Sequence, residues 1–177
     1  GEKKFRLKGV QADLEGKTYE ELNQADQNRL DDSILHATII KQDTPSDDES
    51  SIYMVFERLN TGGTPLQPQE IRACVYYGSF NELLSELTEI PAWRAIFGKE
   101  NKRMKEQELI LRFFSLFYEC NEYKKTLKSF INSFMSRNRN LEMYSKEELK
   151  KLFVNSIQFI SDSIGNKAFR IGNRLNA

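Results

Sequence analysis

Between Glu106 and Cys120 the chain offers water very little polar surface. Leu109, Ile110, Leu111, Phe113, Phe114, Leu116, Phe117 and Tyr118 cover nearly the whole circumference of a helix. A helix that is apolar on every side is stable only when neighbours bury several of its faces. The rest of the chain must therefore supply other helices, and the sequence supplies them on both sides of this segment.

Downstream, Leu127, Phe130, Ile131, Phe134 and Met135 form an i, i+3, i+4, i+7, i+8 stripe. Ser145 and Glu148 make a capping box. Leu149, Leu152, Phe153, Ile157, Ile160 and Ile164 then mark a long final helix that Gly165 ends. Upstream, Ser46 and Glu49 form a capping box ahead of Ile52, Val55, Phe56 and Leu59, which read as the inner stripe of a helix. Pro68 opens the next helix, with Ile71 and Val75 facing inward, and Gly78 ends it. Ser79 and Glu82 cap a third, carrying Leu83, Leu84 and Leu87, and Pro91 starts a short segment closed by Gly98.

The first 45 residues differ. Phe5–Val10 alternates apolar and polar residues, and Ile34–Ile40 is rich in β-branched residues; both read as strands. A short helix falls near Asp26–Asp32, and the acidic stretch Gln42–Asp48 reads as a solvated loop. The expected fold is mainly α: a helical bundle of about six helices over 46–177, with a small N-terminal β portion over 1–45. Two short strands are marginal alone. With Gly1 standing where a Met would begin a gene product, they predict the edge of a larger sheet and a fragment of a longer protein.

No run approaches the 18 apolar residues of a membrane span, and the expected location is cytoplasmic. Cys74 and Cys120 have no partner at metal spacing and read as buried free thiols. His36 is the single histidine, so mechanisms that need two histidines or a His/Cys metal cluster are excluded within this chain. Formal net charge is zero but unevenly spread. Residues 1–57 carry 7 basic and 13 acidic side chains, and residues 58–177 carry 19 and 13, a shift from −6 to +6. The runs Lys99, Lys102, Arg103, Lys105 and Lys124, Lys125, Lys128, Arg137, Arg139 are either solvated helix faces or contacts for a phosphate backbone.

The chemistry-bearing candidate is Phe56-Glu57-Arg58-Leu59-Asn60-Thr61-Gly62-Gly63-Thr64-Pro65-Leu66-Gln67-Pro68-Gln69-Glu70-Ile71-Arg72. Gly62 and Gly63 permit close approach of backbone N–H groups to an anion. Arg58 and Arg72 offer planar forks suited to phosphate, and Asn60 and Thr61 add polar groups. Pro68 places a helix N-terminus nearby. The same residues equally suit a tight structural turn between helices. Glu70 is placed for reciprocal capping with Gln67 or for orienting an arginine. Glu108 and Arg112 are an i,i+4 pair and, with Arg103 and Glu106, open the central helix as a structural clamp or as a wall of the site.

This stretch resembles a signature of the GmrSD-type restriction family, bacterial proteins with a ParB/sulfiredoxin-like N-terminal domain of unknown function. Glu108-Leu109-Ile110-Leu111-Arg112-Phe113-Phe114 and Lys128-Ser129-Phe130-Ile131-Asn132 are also similar to that family. The resemblance implies restriction of modified phage DNA, a nucleoside triphosphate with Mg²⁺ as cofactor of the full-length protein, and a nuclease domain or subunit as partner. The family's Asp-Gly-Gln-Gln-Arg run and its His-Asn-His nuclease do not occur in this sequence. The expectation is therefore a helical part that holds no cofactor and performs no catalysis alone. Arg58, Asn60, Thr61, Gly62, Gly63 and Arg72 would contact phosphate, and Glu70, Arg103, Glu108 and Arg112 would support them. The alternative is a non-catalytic helical interaction module with a structural Gly-Gly turn.

Overall fold

In the computed structural model, residues 4–34, 37, 39, 50–60, 64–124, 126–171 and 174–175 are described. The chain forms two units, Gly1–Ile39 and Ile40–Ala177.

The first unit is small and held mostly by polar contacts. Leu7 N–H donates to the Lys17 carbonyl at 2.9 Å, and Gly16 N–H donates to the Leu7 carbonyl at 2.9 Å. That single exchange does not extend into a ladder, so the strand expected at 5–10 is not formed. A short 3₁₀ turn at Tyr19–Glu21 precedes α1 (Gln24–Asp31), whose Asn23 cap accepts from Asp26 N–H. Tyr19 OH donates to Asp31 at 2.6 Å, and Arg6 donates to the Gly16 carbonyl at 2.7 Å. Much of the expected strand at 34–40, with His36, lies outside the described residues, as does the Ser46–Glu49 capping box.

The second unit is mainly helical, as the patterning predicts. It contains α2 (Ser50–Leu59), α3 (Pro68–Val75), α4 (Ser79–Thr88), α5 (Pro91–Phe97), α6 (Lys105–Glu119), α7 (Leu127–Arg137) and α8 (Lys146–Ile164). The β structure among the described residues is a two-residue hairpin at the C-terminal end, β1 (Arg170–Ile171) against β2 (Arg174–Leu175). No helix among the described residues is long and apolar enough to cross a membrane.

Sequence chemistry explains where the helices start and stop. Ser145 caps α8 by accepting from Glu148 N–H at 3.2 Å, and Gly165 ends it at φ 71°. Thr126 caps α7 by accepting from Ser129 N–H. Gly98, at φ 96°, closes α5 in a conformation other residues rarely adopt.

The central helix α6 packs against α3, α4 and α7, while α8 packs against α4 and α5. Phe80 of α4 meets Phe114 of α6 at 6.2 Å and Phe134 of α7 at 5.9 Å between ring centroids. Phe153 of α8 meets Trp93 of α5 at 5.6 Å. Each such ring stabilises the fold by about 1.5–3 kcal/mol through burial.

Three sequence expectations need correction. Leu116 and Phe117 of α6 are exposed, so the helix is covered on most sides but not all. Cys74 and Cys120 are exposed rather than buried. On α2, of the stripe Ile52, Val55, Phe56 and Leu59, Ile52 is half-buried and the other three are exposed, Leu59 to 59%. The residue α2 buries is Tyr53, stacked on Tyr76 at 6.4 Å with Lys128 over its ring at 5.2 Å. The partners offered by the neighbouring helices, the Tyr76 ring and the Lys128 ammonium, place Tyr53 on the inner face.

Candidate functional site

The corner where α3, α6 and α7 meet is organised by charge. Arg72, on α3, is 1% exposed. Its Nε donates to Asn132 Oδ1 of α7 at 2.6 Å. Its Nη1 donates to Gln69 Oε1 at 3.1 Å and to Glu108 Oε2 of α6 at 2.9 Å. The other Glu108 oxygen accepts from Arg112 Nη2. Gln69 and Arg72 share a face because three residues make nearly one helical turn, and α6 presents Glu108 and Arg112 by the same spacing. The i,i+4 pair in the sequence is therefore half of a three-helix clamp.

A second arginine–carboxylate set sits at the start of α3. Glu70 Oε2 accepts from Gln67 N–H at 2.5 Å, the reciprocal capping that the spacing predicts. The same carboxylate receives Arg103 through Nε at 3.0 Å and Nη2 at 2.9 Å. Arg103 Nη2 also donates to the Pro65 carbonyl, fastening the segment that leads into α3. The Arg103 hydrogen bonds, helped by the Gln67 N–H, hold the Glu70 carboxyl below its ordinary value against the opposing effect of burial.

These contacts settle the positions of several candidates. Arg72 is enclosed and committed to three acceptors. Arg103 pairs with Glu70, and Arg112 with Glu108. Arg58 lies exposed at the last turn of α2. The carboxylates nearest to it in sequence or role are all held elsewhere: Glu57 by Lys128 at 2.6 Å, Glu70 by Arg103, and Glu108 by Arg72 and Arg112. Asn60 follows α2, with its N–H on the Phe56 carbonyl at 3.1 Å. Thr61, Gly62 and Gly63 lie outside the described residues.

The basic runs divide as well. Arg103, Lys128 and Arg137 are engaged with Glu70, Glu57 and Glu119. Lys99, Lys102 and Lys105 are exposed. Beside the clamp is a cleft of about 460 Å³ lined by Gln67, Gln69, Asn101, Arg103, Lys105 and Glu108. Sequence reasoning missed Gln69, Asn101 and Asn132. Gln69 stands one helical turn before Arg72 and Asn101 in the segment leading into α6, while the role of Asn132, in the middle of α7, is not legible without knowing the partner element.

No protein-family model, no curated protein and no solved structure matches this chain.

Proposed function

We propose that this chain is the helical part of a nucleotide-dependent, modification-dependent DNA restriction protein acting in the cytoplasm in phage defence. It contributes the Arg58-x-Asn60-Thr61-Gly62-Gly63 loop to a phosphate. A nucleoside triphosphate with Mg²⁺ is the cofactor this reading implies for the full-length protein. Modified phage DNA and a nuclease domain or subunit are the implied partners.

The observation that carries the reading is the state of Arg58. A structural turn would use its guanidinium in an ion pair, with Glu70 or Glu108 as the obvious partners. Both carboxylates are bound to other arginines, and Glu57 is bound to Lys128. Arg58 remains exposed next to a Gly-Gly sequence whose amides suit an anion.

The test is a titration of GTP, ATP and CTP with Mg²⁺. It compares this chain with a longer form carrying an Asp-Gly-Gln-Gln-Arg segment, each as wild type and Arg58→Ala. Binding by the longer form that Arg58→Ala abolishes supports the reading. No binding by either form, with Arg58→Ala only lowering stability, overturns it.

One observation favours the second reading, a helical interaction module. Met54, Val55, Phe56 and Leu59 leave an exposed apolar face on α2, and such faces mark surfaces where other proteins dock.

A further inference from the structure

We infer that the cleft between the N-termini of α3 and α6 is a binding site for a phosphate dianion carried by a small molecule. This does not rest on the role of the Arg58 loop, because none of the cleft's residues belongs to it.

The first observation is an amide with an unused donor. Gln69 is 1% exposed and lines the cleft. Its Oε1 is fixed by Arg72, which assigns the other branch of the amide as Nε2. Nε2 has no hydrogen-bond partner. A buried N–H₂ without an acceptor is costly in a folded protein, and an anion in the cleft is an acceptor.

The second observation is the helix geometry. Gln67 and Gln69 sit at the N-cap and second position of α3, and Lys105 is the first residue of α6. Met104 caps α6 in the left-handed region at φ 56°, and no side chain accepts from the first-turn amides. Asn101 uses its Oδ1 to accept from Arg103 N–H at 2.8 Å, which leaves its N–H₂ as a donor. The α6 N-terminus thus borders the cleft with its partial positive charge uncapped, while Glu70 already caps that of α3.

The third is charge. Glu108 also lines the cleft, but each of its oxygens already receives a guanidinium. Glu70 is bound to Arg103, and Glu106 to Arg94 at 2.7 Å. Of the side chains that line the cleft, Arg103 and Lys105 are positive and Glu108, shared by two guanidinium groups, is negative. Lys105 takes part in none of these ion pairs. The lining is net positive, which suits an anion, and a cleft of this size accommodates a phosphate with an attached organic group.

The experiment is isothermal titration of orthophosphate, of ATP and of a short DNA duplex into the full chain, followed by competition of orthophosphate against ATP. Saturable binding of orthophosphate or ATP is expected, and competition tells free phosphate from a terminal phosphoryl group. Gln69→Glu keeps an oxygen for Arg72 while replacing the free N–H₂ with an acceptor, and should weaken binding about tenfold. Lys105→Ala removes an exposed charge without touching the clamp, and should weaken it about fivefold. It keeps the test decisive if Gln69→Glu fails to fold. Arg58→Ala reports on the loop separately. Loss of binding in Arg58→Ala with unchanged affinity in both cleft variants overturns the cleft and leaves the loop. Absence of saturable phosphate binding, or binding of DNA alone, also overturns it.

Discussion

Arg72 and Asn132, sixty positions apart in sequence, meet through a 2.6 Å hydrogen bond from Nε to Oδ1, and this bond joins α3 to α7 inside the protein. Arg72→Ala should remove the donor to Asn132, Gln69 and Glu108 together. Glu108 keeps Arg112, but the buried oxygens of Asn132 and Gln69 lose their donor, at about 1–3 kcal/mol for each. Asn132→Ala removes one acceptor and should cost about 1–3 kcal/mol. Urea unfolding of both variants, compared with Arg58→Ala at nearly unchanged stability, checks the ordering.

Gly78 is required for space rather than for backbone freedom. Its φ of 168° is ordinary extended chain. A Cβ there would stand 2.5 Å from the Arg139 carbonyl oxygen, and that oxygen accepts the Phe80 N–H at 3.0 Å. Gly78→Ala must therefore push the α7–α8 connection away from the start of α4. Overpacking of this kind costs about 1–3 kcal/mol, and the loss should appear as a lowered thermal midpoint.

Glu86 of α4 is bound by Lys146 at 2.7 Å and by Lys150, both on α8. These hydrogen bonds, led by Lys146, lower its pKa from the ordinary carboxylate range to about 2. The folded pKa is the lower one, so the contribution to stability is present above the unfolded value. It is lost as pH falls from the unfolded value through about 2. Glu86→Gln should be less stable than wild type at neutral pH, with the difference closing across that acid window. All three groups are partly exposed, so salt should shrink the difference even at neutral pH. Thermal melts across pH and ionic strength decide it.

Cys74 and Cys120 are exposed. Both should react with a thiol reagent in the folded protein, giving two equivalents without denaturant. A thiol that reacts only after unfolding would contradict the packing of α3 or the end of α6.

Several helices were legible because they carry their own punctuation. Ser145 before α8, Pro91 at the start of α5 and Pro68 at the start of α3 are local signals that any neighbour leaves intact. The inner face of α2 was not legible. Hydrophobicity selects Val55, Phe56 and Leu59, but the nearby helices α3 and α7 offer a ring and a cation, and these select Tyr53. The strand at 5–10 failed for a related reason: alternation describes one edge, and a ladder needs a second. At the site, the 108–112 pair and the Gln67–Glu70 cap follow from helical spacing. Burial of Arg72 does not, because a charge reads as surface until its acceptors are known, and Asn132 and Glu108 come from elsewhere in the chain.

The clamp also governs how the corner can change over time. An apolar contact between helices tolerates small slides, since one methyl group substitutes for another. A guanidinium whose N–H groups each meet a particular oxygen has no comparable half-step: α3 is either in register with α6 and α7 or separated from them. The segment between α2 and α3 can therefore accumulate substitutions while its downstream anchor stays in place, so new ligand preferences can arise there without altering the bundle that carries it.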